Sequence, residues 1–355
     1  MKKILIVDDS ALMRRVMCDI INSDNRFRVV DMAANGIEAF DLLSRKQYDA
    51  VVLDVNMPKM NGLELLEELQ KYKISAKVMM ASTDTKEGAK TTLDALELGA
   101  VDFVHKPDSA MGCRVGQFKE HFLETLFTVS ESELVFSVKK DTTADTKKEN
   151  IIPRTVLRKT SGGKIVAIAS STGGPKALQS VIPKLPKKLN APVLLVQHMP
   201  AGFTASLAER LDSLSEVTVK EAADGDVLEN GHVYIAKGGM HMNVAVGTSG
   251  EYVIRYSDEP TREGVKPCAN YMYESLIESK YKEVVCVVMT GMGADGTQGI
   301  SNLKAAGMKT NVITQNQETC VVYGMPKSAV KAGLSDMEAP LEQLAQEIIL
   351  NVGVM

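Results

Sequence analysis

The chain has 355 residues, more than one average domain holds, with 41 basic against 45 acidic side chains and a net charge of −4. No basic excess points to nucleic acid or an anionic membrane as partner, and no apolar run approaches the ~20 residues a spanning helix needs. Five cysteines (Cys18, Cys113, Cys268, Cys286, Cys320) lie scattered without a CxxC pair, which excludes a zinc frame and a disulfide framework. The apolar run in the N-terminal MKKILIVDDS stops at Asp8, too early for a secretory signal, so a reduced cytoplasm is the expected compartment. With no Trp and few aromatics, Val, Ile, Leu, Ala and the 19 Met must fill the cores.

Short apolar runs alternate with amphipathic helical stretches, the rhythm of βα units around a parallel sheet. The first strands are expected at residues 4–7, 29–32, 50–53, 78–81 and 103–104. With five helices they make a small doubly wound, flavodoxin-like α/β domain. The stretch Phe118 to Phe127 reads as its last helix, and the domain is bounded at residue 125. Residues 126–163 are assigned as a linker. From 139 onward they read KKDTTADTKKENIIPRTVLRKTSGG, charged, Thr-rich and nearly free of apolar periodicity. After Gly163 the rhythm resumes, and 164–355 is expected to form a second doubly wound α/β domain. Its strong strands are 165–168, 192–197 and 284–289, with weaker ones at 217–220, 233–235, 252–256 and 312–313. Helices are expected at 175–183, 203–214, 268–280, 297–306 and 340–351.

In the first domain, Asp8 and Asp9 follow the first strand, Asp54 closes the third, Ser82 closes the fourth and Lys106 follows the fifth. Carboxyl ends of neighbouring parallel strands gather on one edge, where α/β sheets bind ligands. Three carboxylates there repel one another, and a hard cation such as Mg²⁺ relieves the repulsion through oxygen ligands. An Asp beside such an ion can attack a phosphoryl group, Lys106 can pair with the same oxygens, and Ser82 can donate to the new phosphoryl. An Asp after a strand is by itself an ordinary turn or cap residue; five residues of these types in this order are not. The DD pair, LDVNMPKMNG around Asp54, Ser82 and the Lys106-Pro107 pair resemble the response-regulator receiver family over roughly residues 1–110. That resemblance implies phosphorylation of Asp54 by a histidine kinase, with Mg²⁺ held by Asp8, Asp9 and Asp54.

In the second domain three motifs follow the three strongest strands: SSTGGP at 170–175, QHMP at 197–200 and TGMGADG at 290–296. Ser171 falls on a strand-to-helix turn, where the hydroxyl is exposed and the helix start offers N–H donors. His198 can take its proton, and Asp295 can hold the imidazole tautomer and stabilise the imidazolium. Gly-rich backbone around Met292 can offer an N–H to an oxyanion. The nucleophile is not in a GxSxG elbow, so this is not an ordinary α/β-hydrolase. Ser170 is a competing nucleophile. His105, His121 and His232 lack such a setting, and His241, in GGMHM, is close enough in pattern for a substrate-side contact.

The blocks IASSTGGPKAL, LLVQHMPAGFTASLAERL, VMTGMGADGTQG and ETCVVYGMPKSAV resemble the CheB family, chemotaxis protein-glutamate methylesterases. The resemblance spans the whole chain. It implies a Ser171 nucleophile, a His198 base and an Asp295 orienting acid, with Thr172 supporting the His and Met292 helping to form the oxyanion hole. It implies methyl-accepting chemoreceptors as substrates, a glutamine deamidase side activity, and no cofactor for the ester step. A receiver packed near the active site would then limit access until Asp54 is phosphorylated. The chain departs from the family pattern at Ala169, Lys237 and Gln317, and at Lys266-Pro267-Cys268-Ala269-Asn270, where an Arg and an acid are usual. The last departure is expected to affect receptor specificity, and with it rate, more than reaction type. Two rival readings are a phosphorylation-controlled binding protein with an inactive second domain, and a transcriptional regulator. The intact Ser-His-Asp set opposes the first, and the lack of a basic recognition helix opposes the second.

Overall fold

The computed structural model describes residues 1–82, 86–107, 113, 116–132 and 163–355. The first domain runs β1 (Lys2–Val7), α1 (Ala11–Asn22), β2 (Phe27–Ala33), α2 (Gly36–Arg45), β3 (Ala50–Asp54), α3 (Gly62–Lys71), β4 (Val78–Ser82), α4 (Lys86–Glu97), β5 (Asp102–His105) and α5 (Gly116–Glu131). The sheet order is β2-β1-β3-β4-β5, parallel throughout. Both β3 (AVVLD) and β4 (VMMAS) are buried along their whole length, as strands covered by helices on two faces must be. The register sets Val7 against Leu53, Asp54 against Ala81 and Ser82 against His105, so the functional strand ends lie in line. Helix α5 continues to Glu131, past the boundary expected at 125. It buries Phe122, Leu126 and Val129 against β1 and β3 residues such as Ile4, Ile6 and Val52. Most of the linker lies outside the described residues.

The second domain runs β6 (Lys164–Ser170), α6 (Gly174–Val181), β7 (Val193–Gln197), α7 (Phe203–Leu214), β8 (Thr218–Glu221), β9 (His232–Ile235), β10 (His241–Val246), β11 (Tyr252–Ser257), α8 (Ala269–Glu274), β12 (Glu283–Val288), α9 (Thr297–Ala305), β13 (Thr310–Gln315), α10 (Met325–Lys331), β14 (Met337–Ala339) and α11 (Leu341–Val352). Its parallel sheet has the order β14-β13-β12-β6-β7-β9-β8, with β10 and β11 as a separate antiparallel hairpin. From β6 the chain moves to β7 on one side and later to β12 on the other. That is the topological switch point where an open α/β sheet forms its crevice.

The helix expected over 268–280 stops at Glu274. The Ser275 and Ser279 hydroxyls donate to carbonyls three residues back, competing with the helical ladder. Strands β10 and β14 and helix α10 were not anticipated. Strand β10 alternates poorly, and α10 opens on Gly324-Met325-Pro326, which reads as a turn.

The domains meet where α4 of the first packs on α6 and α7 of the second. Phe103 stacks on Phe203 with ring centroids 4.6 Å apart, and one continuous apolar cluster includes Leu93, Leu96 and Phe103 together with Phe203 and Leu207.

Candidate active site and candidate phosphoryl site

Three strand ends converge at the switch point. The His198 N–H donates to Ser170 O (3.1 Å), and the Ser171 N–H donates to Thr290 O (3.0 Å), joining the ends of β6, β7 and β12. The turn after Ser171 needs its glycines. Gly173 has φ +75°, and a Cβ on Gly174 would lie 2.0 Å from Gln197 Oε1. Gln197 fills that space for a reason. It accepts from the Ser170 hydroxyl (2.7 Å) and donates to Ser171 O (2.9 Å) and His198 O (3.2 Å). Ser170 is fully buried in this network. Of the two competing serines, only Ser171 is partly exposed at the crevice.

His198 Nε2 lies 2.7 Å from Asp295 Oδ2, with the imidazole 10% and the carboxylate 3% exposed. Asp295 is saturated. Oδ2 also accepts from Ala269 N–H (2.6 Å), and Oδ1 accepts from Asn270 N–H (2.9 Å), Gly296 N–H (2.8 Å) and the Cys268 thiol (3.0 Å). Burial alone would raise this carboxyl; the His198 hydrogen bond and charge, with Cys268 and Ala269, hold it below its ordinary value. The same carboxylate pushes the Cys268 thiol, already raised by burial, up to about 12. In this setting the thiol serves as a hydrogen-bond donor. The departure at 266–270 therefore lies directly on Asp295. Asn270 adds a second clasp, its Oδ1 accepting from Gly296 N–H (3.1 Å) and Gly299 N–H (2.6 Å).

No Ser171–His198 hydrogen bond is made among the described residues, a looseness common in substrate-free sites. The Thr172 hydroxyl, expected beside His198, donates instead to Asp102 Oδ2 of the first domain (2.5 Å). Burial raises the Asp102 carboxyl above its ordinary value, partly offset by that hydroxyl. Met292 is 41% exposed, and its sulfur accepts from the Thr128 hydroxyl on α5 (2.8 Å). Further out, Arg210 on α7 makes a bidentate pair with Glu97 on α4 (2.5 and 2.7 Å). Asp102, Phe103, Thr128 and Glu97 carried no signal in the sequence for this role. His105 packs edge-on against Phe203, and His232 bonds Asn230 O. His241 is fully buried and faces Cys268 N–H and Pro260 O, not open space.

In the first domain the carboxylate oxygens of Asp8, Asp9 and Asp54 lie within 4.8 Å of one another, with Asp8 and Asp54 buried and Asp9 exposed. Lys106 Nζ reaches Asp54 Oδ1 (2.6 Å) and Asp8 Oδ2 (3.1 Å). Burial raises the Asp54 carboxyl, and the Asp8 charge adds to it, against the opposing pull of Lys106. Burial alone would depress the Lys106 ammonium, but Asp54 and Asp8 hold it above its ordinary value. Three carboxylates against one ammonium leave an oxygen-rich, undercompensated pocket, which suits a hard divalent cation. Ser82 is buried beside it at the end of β4.

Comparison with known proteins agrees with both halves. A family model described as CheB methylesterase matches residues 166–348, and one described as response regulator receiver domain matches residues 4–111. The protein-glutamate methylesterase/protein-glutamine glutaminase of Geobacillus kaustophilus is 41% identical over 99% of this chain and 99% of its own length. The protein of that name from Bacillus subtilis is 41% identical over 98% of each. The crystal structure of the Thermotoga maritima CheB methylesterase catalytic domain covers 54% of this chain and all of its own, at 43% identity and a TM-score of 0.51. The chain belongs to the CheB methylesterase family, with a receiver domain preceding the catalytic domain.

Proposed function

We propose that this protein hydrolyses γ-glutamyl methyl esters on methyl-accepting chemoreceptors, and deamidates receptor glutamines, under control of phosphorylation in the cytoplasm. The observation that carries the reading is His198 held on a saturated, buried Asp295 at the switch point where Ser171 leaves β6. Asp295 takes Nε2, so Nδ1 is the nitrogen left to act as base. Ser171 Oγ attacks the ester carbonyl carbon as its proton passes to Nδ1. The tetrahedral oxyanion is stabilised by backbone N–H groups of the Thr172 and Met292 turns. Its collapse expels methanol, which takes the proton from His198. Water, activated by the same nitrogen, then splits the acyl-serine and releases the glutamate carboxylate. A glutamine side chain follows the same path with ammonia as leaving group.

Asp54 is the proposed phosphoryl acceptor from a histidine kinase. Asp8, Asp9 and Asp54 would hold Mg²⁺, which when bound offsets the negative charge gathering there. Lys106 pairs with the phosphoryl oxygens and Ser82 donates its hydroxyl to them. The receiver restrains the esterase in the resting state, because Asp102, Phe103 and Thr128 occupy Thr172, Phe203 and Met292 at the crevice.

Methanol release from methylated receptor membranes, with and without a small phosphodonor and Mg²⁺, tests the reading. Ser171→Ala should abolish release in a folded protein, while Ser170→Ala costs only one buried hydrogen bond. A dead Ser170→Ala beside an active Ser171→Ala would reverse the nucleophile assignment.

A further inference from the structure

His241 is a histidine that the ester chemistry does not use, yet it is completely buried and only one residue away from the triad acid. Its Nδ1 accepts from the Cys268 N–H at 3.2 Å, and its Nε2 lies 3.2 Å from Pro260 O. A backbone N–H can only donate and a carbonyl can only accept, so the ring carries its proton on Nε2 and is neutral. Burial and the neighbouring Lys266 push in the same direction, against the Pro260 and Glu259 contacts. The ring also packs on Tyr271, with centroids 4.6 Å apart.

Residue 268 begins the segment that supplies three of the donors to Asp295: the Cys268 thiol and the Ala269 and Asn270 N–H groups. The Cys268 N–H points the other way, to His241. One face of the segment is thus fixed by His241 on β10 and the other presents its donors to Asp295.

We propose that His241 is a positioning residue for the esterase: it anchors the Cys268–Asn270 segment and, through it, holds Asp295 in register with His198. The inference rests on the Ser171-His198-Asp295 reading. Losing the Nδ1 acceptor leaves the buried Cys268 N–H unsatisfied, and the segment shifts to find another partner. Asp295 then holds the imidazole less firmly, and the reacting geometry suffers without any change in what the substrate contacts.

The test uses the full-length protein with a small phosphodonor and Mg²⁺, measuring methanol release from methylated receptor membranes. His241→Phe should lower kcat about tenfold with KM changed by less than about twofold, in a protein whose circular dichroism is unaltered. His241→Asn, whose side-chain oxygen can accept near the Nδ1 position, should recover most of the loss; His241→Gln, which reaches the Nε2 position, should not. A double-mutant cycle separates positioning from general damage. His241→Phe combined with Asp295→Asn should be no slower than Asp295→Asn alone. Equal fold-losses in both backgrounds would overturn the inference, as would a wild-type kcat in His241→Phe. Should His241→Phe fail to fold, the Asn and Gln variants decide, and Gln matching or exceeding Asn overturns it. Full activity in Asp295→Asn would bring down the triad reading and this inference together. A dead Asp295→Asn beside an unaffected His241 series brings down the inference alone.

Discussion

Asp54 and Asp295 sit in equivalent places, each buried at the carboxyl edge of a parallel sheet, and their surroundings are opposite. Asp54 has one ammonium and one backbone N–H against two neighbouring carboxylates, and burial lifts its carboxyl. Asp295 has five donors and is held below its ordinary value. The aspartate proposed to attack phosphorus is buried and crowded by like charge. The one proposed to orient a histidine is clasped by five donors. One residue type thus meets two opposite environments, in keeping with the two roles proposed.

The sharpest way to break this comparison is to neutralise each acid. Asp295→Asn should cost roughly 10³–10⁴-fold in methanol release, because an amide cannot stabilise the imidazolium and presents a donor where five donors converge. Steady-state rates check it; a loss under about tenfold would make Asp295 a structural acid only. The next effect is on restraint. Deleting the first domain and linker should raise basal release by about tenfold or more, the scale of losing a buried hydrogen bond and an aromatic stack together. A folded catalytic fragment slower than the unphosphorylated full chain would mean that the receiver assists. A smaller handle is the Arg210–Glu97 pair, about one-third exposed on each side and so worth about 1 kcal/mol or less. Arg210→Glu should raise basal release a few-fold by setting two acids together, and adding Glu97→Lys should restore restraint.

The smallest effect is thermodynamic. Asp54 has a raised folded value, so its ionisation subtracts stability as pH rises from the ordinary 3.8 through that raised value. Asp54→Asn should therefore lose less melting temperature than wild type as pH rises from 3.8 in EDTA, and it should take no label from a phosphohistidine donor. Asp295 has the reverse sign. Its contribution is complete above 3.8 and is lost as pH falls through its lowered folded value. Asp295→Asn should accordingly flatten the acid limb that Asp54→Asn leaves in place. Melts of the two variants across pH 2–8 check both signs, within the general range over which carboxylates titrate.

Both aspartates were legible in the sequence because each ends or closely follows a continuous apolar run, and a run of that kind is a buried parallel strand. Ser171 and His198 were legible for the same reason. What could not be read were partners brought in from distant segments. The Cys268 thiol donates to a carboxylate 27 residues away, and Asp102 meets Thr172 across 70. A side chain's local pattern says which face it lies on but not what arrives there. His241 shows the same limit: GGMHM marked it as unusual, yet only the fold turns it toward Pro260 O and the Cys268 N–H behind Asp295. The helix boundaries at Glu131 and Glu274 were misjudged because tertiary burial extends one and serine hydroxyls shorten the other.

Strand β5 carries two duties within five consecutive residues. Asp102 and Phe103 touch the catalytic domain, while Lys106, just beyond the strand, grips Asp54 and Asp8. A genetic screen for constitutively active alleles would therefore recover substitutions at 102–106 that disturb signal reception and restraint at once. Epistasis with a loss-of-phosphorylation allele would be scrambled for every one of them. The Glu97–Arg210 pair, on α4 and α7, takes no part in the Asp8–Asp54–Lys106 contacts, so an allele there would report on the proposed restraint by itself.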